Sequence, residues 1–241
     1  MSSTWPILTR APRFLLWRST SIASSPSQIC NGVGLTVDRS NEMTYIISSM
    51  RYPAEHKEET RERIIHAASR RFRRAGAGVG IGQLMKTLKM THGGFYRHFK
   101  SKDDLFEAAL TESFEEMRAR MTAAIAEAPA GHELEAIIET YLSDAHCADA
   151  AGGCPVAALA SEVARQPRAV RAAFDRAIQQ ATSRMATFMT GATEEERRRK
   201  AGVLFSGMSG TLAVARAVSD EDLRKRILAA ARKIYVEAFA R

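Results

Sequence analysis

The sequence predicts an all-α fold in which a small N-terminal three-helix unit precedes a larger helical domain. Three observations carry this. Ala, Arg, Glu and Leu dominate the second half of the chain, and proline is scarce, with seven in 241 residues. From Glu55 onward, apolar residues recur at helical spacing with no strand-like alternation. Positive charge is concentrated in one segment. Residues 50–105 hold thirteen Lys and Arg against six Asp and Glu, a surplus of seven in a chain whose net charge is +8. Residues 1–49 add two positive charges, and residues 106–241 are one negative. A basic block of this size is the electrostatic footprint of a polyanion binder, although a solvated Arg-rich face has the same composition.

Taken in order, residues 1–49 hold ten serines and three of the seven prolines. They are expected to be a disordered tail or a gene-start artefact, with translation beginning at Met43 or Met50. Their apolar cluster, Phe14–Trp17, is too short for a secretory core. No run of about 18 apolar residues occurs, so neither a transmembrane helix nor a membrane partner is expected. The first helix starts near Glu55, aligns Ile64, Ile65, Ala68 and Phe72, and ends at Gly76-Ala77-Gly78. A second, Ile81–Leu88, buries Ile81, Leu84, Met85 and Leu88. A third covers residues 91–100. Ser101-Lys102-Asp103-Asp104 resembles a capping box and opens a helix to about Glu127. Further helices are expected near 132–147, 155–165, 167–190, 193–217 and 219–240, with Pro155 at a first helical position. Residues 203–218 are apolar nearly all round, and Leu223, Ile227, Ile234 and Ala238 form a stripe. Together these predict a homodimer interface, or failing that a central core helix.

The third helix raises a chemical question, because Gly93 and Gly94 stand side by side within it. A mid-helix glycine costs about 1 kcal/mol relative to alanine. Removing side chains lets a backbone approach another surface closely. Phe95 and Phe99 point one way as core residues, while the other face shows Gly93, Gly94, Arg97 and His98, fringed by His92 and Tyr96. A basic three-helix unit with such a face suits insertion into a DNA groove.

Residues 59–105 resemble the helix-turn-helix DNA-binding domain of the TetR/AcrR family of bacterial transcription regulators. The matching features are Phe72 before the Gly76 loop, the short helix Ile81–Leu88, and the string Phe95-Tyr96, His98-Phe99, Ser101-Lys102. Thr91–Tyr96 matches the T-H-G-G-F-Y subgroup letter for letter. The resemblance implies that Thr91 caps the recognition helix and that His92, Gly93 and Gly94 face base edges or the sugar-phosphate wall. It implies phosphate contacts from Tyr96, His98 and Lys102, with His98 alternatively a buried or capping residue. Gln83 would reach backbone or base, and Arg97 would add specificity. It further implies a C-terminal ligand-binding and dimerisation domain, a palindromic double-stranded operator, an unknown small-molecule inducer, a repressor's role and a cytoplasmic location. Two departures from the family pattern occur. Lys89 stands where the turn usually has glycine, and Gly80 stands where Ser or Thr usually caps the second helix.

The remaining candidates are fewer. Gly152–Leu159 is similar to a stretch in some subgroup members and places Cys154 at a helix N-terminus, with Cys147 seven residues earlier. A thiol-based redox sensor is therefore an alternative, against a small buried residue at a helix junction. Three cysteines (Cys30, Cys147, Cys154) fit no disulfide framework. The six histidines show no metal-ligand spacing, so no metal is expected, and no cofactor is implied. Glu194–Lys200 offers three i, i+4 ion pairs of a solvated face. A helical enzyme is the remaining class. No catalytic constellation supports it.

Overall fold

The computed structural model describes residues 54–240. The expected tail 1–49 and Cys30 lie outside the described residues. Every element among the described residues is an α-helix. The first, α1 (Ala54–Ala75), buries Ile64, Ala68 and Phe72 on one stripe, with Ile65 half-buried beside them. It stops at Gly76, whose φ is +79° and whose N–H donates to the Phe72 carbonyl at 2.8 Å. A Cβ at Gly76 would also lie 2.5 Å from Glu162 Oε1, so the left-handed φ and the close approach both call for glycine.

The second helix, α2 (Ile81–Thr87), has Gly80 as its N-cap with no side-chain cap bond, and it buries Leu84 and Met85. Its exit is a Schellman motif. Met90 N–H donates to the Met85 carbonyl at 2.9 Å and Lys89 N–H to the Lys86 carbonyl at 3.1 Å. Lys89 occupies the left-handed position of that motif with φ +58°, the only non-glycine residue with positive φ among the described residues. The lysine therefore takes the conformation that glycine usually supplies.

The third helix, α3 (His92–Phe95), is shorter than the expected 91–100. Turns continue it as far as Phe99, whose N–H reaches the Phe95 carbonyl at 3.1 Å, before the chain extends at Ser101 (φ −154°, ψ 170°). Two glycines and a required extended residue leave too few helix formers for more. Ser101 then caps α4 (Lys102–Glu127) by accepting the Asp104 N–H at 3.1 Å. The Asp104 carboxylate returns to the Lys100 N–H at 2.9 Å, one residue before the position a capping box uses.

The expected helix 132–147 is two, α5 (Glu133–Tyr141) and α6 (Asp144–Ala148). Ser143 interrupts it by accepting the His146 N–H at 3.1 Å, and Arg232 takes the Leu142 carbonyl at 2.7 Å. Local side-chain bonds thus outcompete helix continuation. The chain finishes with α7 (Pro155–Val163), α8 (Arg168–Ala186), α9 (Glu194–Ala217) and α10 (Glu221–Phe239). Two of the three ion pairs expected near the start of α9 form, Glu194–Arg198 and Glu196–Lys200.

Two apolar cores result, and α4 runs through both. Its first half gives Leu105, Phe106, Ala109 and Leu110 to the core of α1–α3, which Leu159 and Val163 of α7 and Val170 of α8 complete. Met117 belongs to the second core, with Ile138, Tyr141, Leu204, Met208 and Leu228. On α9, Val203 is 65% exposed and Val214 54%, and on α10 Ile234 is 59% exposed.

A left-handed non-glycine residue costs about 1–2 kcal/mol. Replacing Lys89 with glycine relieves that cost and loses part of the gain to unfolded-state entropy. Lys89→Gly is therefore expected to raise stability by about 1 kcal/mol in thermal denaturation. A lowered melting temperature would mean that the Lys89 side chain makes a compensating contact.

Candidate nucleic-acid interface and ligand cavity

The α2–turn–α3 segment presents the candidate DNA-facing residues. Thr91 is the N-cap of α3, and its Oγ1 accepts the Gly94 N–H at 3.2 Å. Phe95 and Phe99 stack at 5.5 Å and are 1% and 2% exposed, which anchors the helix from below. Arg61 of α1 lies over the Phe99 ring at 5.1 Å. Gln83, Thr91, His92, Gly93, Tyr96 and Arg97 are all exposed, and Lys102 is half-buried at the start of α4. The His92 and Tyr96 rings lie 5.9 Å apart, one turn from each other on the same face.

The two glycines differ. A Cβ at Gly93 would meet nothing within 4 Å, so its backbone borders open space. A Cβ at Gly94 would point at Thr91 Oγ1, 3.4 Å away, and at Met85 and Met90. Gly94 thus faces the protein, and the bare surface belongs to Gly93 alone.

His98 is half-buried, and its Nδ1 is buried with no hydrogen-bond partner. Burial, then the neighbouring Lys57, Arg61 and Arg97, push its pKa below the usual histidine value. Lys57 and Arg61 of α1 therefore share a positive surface with α3. The sequence reading missed both, because nothing in the α1 periodicity shows which of its cations lie beside α3.

Behind this surface lies a buried polar knot. Arg73, 4% exposed in the last turn of α1, donates to the Gly153 carbonyl at 3.1 Å and to Ser69, and it pairs with Glu116 of α4. Glu162 of α7 accepts the Ala77 N–H. His66, Glu112 and Glu116 bring ligand atoms within 4.8 Å of one another across α1 and α4, a grouping that their separation in sequence concealed. His66 Nδ1 lies 3.2 Å from Glu116 Oε1, as an ion pair would place it.

The Gly152–Cys154 turn also borders the second domain's cavity. Phe114, Met117, Met121, Ile137, Met185 and Phe205 line it, together with Tyr141 and Cys154. The volume open to the centre of a water molecule is about 100 Å³. The Tyr141 hydroxyl meets Ser209 Oγ at 2.9 Å. Cys154 is the N-cap residue of α7, but its side chain makes no cap bond and it is 1% exposed. Cys147 is also buried, and burial pushes its thiol pKa up. Both cysteines are buried, which fits the junction-packing alternative, and neither is exposed as a reactive thiol is.

His146 locks the turn. Its Nδ1 lies 2.6 Å from the Tyr141 carbonyl, and its Nε2 accepts the Cys154 N–H at 3.0 Å, which fixes a neutral tautomer. Arg216 of α9 holds the carbonyls of His146, Cys147 and Asp149. Burial is the largest cause lowering the His146 pKa, to about 4.

A short capped helix presented on a two-helix support, with a basic surface around it and a separate helical domain behind, defines the helix-turn-helix class of DNA-binding regulators. Comparison with known proteins agrees. The model for bacterial regulatory proteins of the tetR family matches residues 64–109, and that for the tetracyclin repressor-like C-terminal domain matches residues 130–231. Between them they take in more than half of the chain. The chain belongs to the TetR family of transcriptional regulators. No curated protein matches it. Among solved structures it is similar to a TetR transcriptional regulator from Chloroflexus aurantiacus, with 22% identity and a TM-score of 0.64 over 76% of this chain and 96% of that one. The reduced form of Escherichia coli NemR is 21% identical, with a TM-score of 0.61 over 73% of this chain and 96% of that one. A regulator from Legionella pneumophila is 17% identical, with a TM-score of 0.64 over 75% of this chain and 97% of that one. At these identities the likeness is one of fold. No helix among the described residues is long and apolar enough to cross a membrane.

The His146 geometry makes a pH prediction. Unfolded, this histidine takes a proton below its ordinary 6.5, while the fold keeps it neutral down to about 4. The unfolded state binds the extra proton between those values, so stability falls as pH drops through that window, by at most about 3 kcal/mol from this group. Urea unfolding at several pH values should show this decline, and His146→Gln should make it shallower. An equal decline in the variant would contradict the assignment.

Proposed function

We propose that the protein is a dimeric, ligand-responsive repressor that reads a near-palindromic operator through α3, within the subgroup whose recognition helix carries T-H-G-G-F-Y. The observation that supports this best is the open backbone at Gly93, flanked by exposed His92, Tyr96 and Arg97 on a helix anchored by buried aromatics. Gly93 and His92 approach the base edges, with Thr91 holding the helix start. Gly94 serves the packing of α3 rather than the groove. Tyr96, His98 and Lys102 contact phosphate, joined by Lys57 and Arg61. A phosphate beside His98 would offset the cations that lower its pKa. Gln83 reaches the backbone, and Arg97 adds specificity.

The exposed apolar residues of α9 and α10, Val203, Val214, Leu223 and Ile234, form the two-fold interface. Such a dimer sets its two recognition helices about 34–36 Å apart, one turn of DNA. A ligand in the cavity changes that spacing through the Gly152–Cys154 turn, because Cys154 lines the cavity and the adjacent Gly153 carbonyl is held by Arg73 of α1. The thiol-sensing alternative is less well supported, because Cys147 and Cys154 are both buried.

Measured by fluorescence anisotropy on a bound duplex, Lys102→Ala and Tyr96→Phe should weaken specific and random DNA alike, by roughly three- to tenfold each, with Lys102→Ala reducing the salt slope by about one. Gly93→Ala should weaken the specific duplex by about tenfold and random DNA little. Unchanged affinity in all three variants would remove α3 as the reading element. Val214→Arg should yield monomers in sedimentation and lose cooperative operator binding, whereas a dimer that persisted would move the interface elsewhere.

A further inference from the structure

Resting on the reading of the C-terminal domain as ligand-binding, we propose that its cavity takes an uncharged, ring-bearing apolar molecule. The wall chemistry carries this. The residues that make up the interior are apolar, with Met117, Met121 and Met185 beside Phe114, Phe188 and Phe205. Thioether sulfur and aromatic faces both favour a ring, and unbranched methionines adapt their shape to it.

No buried charge faces the cavity. Its charged lining residues, Glu115, Arg118 and Arg184, are exposed, and Arg118 is paired with Glu115 at 2.6 Å. An ionised group carried inward would lose its hydration and touch no charged residue of the inner wall. One kept at the rim would meet only exposed side chains, Glu115, Arg118 and Arg184, in solvent, where attraction is weak.

The Tyr141 hydroxyl in the wall is already partnered. Ser209 Oγ donates to the Phe205 carbonyl at 2.8 Å, so in its 2.9 Å contact with Tyr141 the phenol is the donor. The Cys154 side chain is a second hydrogen-bond partner of the same hydroxyl, so the phenol is satisfied on both sides. With Tyr141 and Ser209 both partnered, the wall holds no spare donor for a carboxylate or sulfonate.

The test uses two fluorescent dyes of the same ring system on the full chain without DNA. N-phenylnaphthylamine is neutral with one N–H donor, and anilinonaphthalene sulfonate adds an anionic group. The neutral dye is expected to bind saturably, once per protomer. The sulfonate should bind roughly tenfold more weakly or worse. Ala181→Trp, which fills the cavity from α8, should abolish neutral-dye binding, and Ala177→Phe provides a second block if the tryptophan variant does not fold. Equal or tighter binding of the sulfonate, or neutral-dye binding that survives a folded blocking variant, would overturn the proposal. Because no DNA is present, a failure here leaves the operator reading intact. Dye binding as expected in a protein that selects no DNA would remove that reading and leave the cavity assignment standing.

Discussion

The buried guanidinium of Arg73 is the interaction on which the arrangement of the two domains depends. A cation 4% exposed is stable only if fully partnered, and its partners come from three places. Ser69 belongs to its own helix, Glu116 to α4, and the Gly153 carbonyl to the turn that leads into α7. Leaving Glu116 behind strands a buried charge, at a cost of about 3–5 kcal/mol, and losing the Gly153 carbonyl or Ser69 costs about 1–3 kcal/mol. The last turn of α1, the middle of α4 and the start of α7 must therefore move together or break a strong contact. That requirement makes the packing of the DNA-facing unit on the larger domain discrete rather than loose. The Glu162–Ala77 bond at the other end of α7 adds a second tie.

The same turn is where the cavity begins. Cys154 stands in the cavity wall, its N–H is held by His146, and its neighbour Gly153 answers to Arg73. Space at Gly153 is so restricted that a Cβ would fall 2.1 Å from Arg216 Nη2 and 2.6 Å from the Asp149 carbonyl. A molecule that displaces the inner wall thus acts on a tightly packed element with few alternatives, the condition under which a small local shift becomes a change of state. Allostery of this kind needs only a difference in ligand affinity between two packings.

Much of this was legible in the sequence, and the reasons divide cleanly. Helix boundaries followed from periodicity and from caps such as Thr91, Ser101 and Pro155, which act within a few residues of themselves. The aromatic anchors Phe95 and Phe99 and the left-handed Lys89 were readable for the same reason. What stayed hidden depends on tertiary neighbours. Ser143 breaks a helix that propensity alone would continue, helped by Arg232 from the far end of the chain. Arg73 reads as one more surface cation in an Arg-rich run until α4 and α7 close over it. Gly93 and Gly94 are indistinguishable as letters, and only the packing of Met85 and Met90 separates the outward one from the inward one. His146 offered no sequence signal of its role, since both its partners are backbone groups.

The central claim is that a two-fold pair of α3 helices reads DNA sequence. Selection from a library of randomised duplexes by the full chain, followed by sequencing of the enriched fragments, tests it most directly. The account predicts a near-palindromic consensus whose half-sites lie about 10 base pairs apart, centre to centre, or a multiple of that. Enrichment of no motif, or of a single half-site without its mirror image, would contradict it.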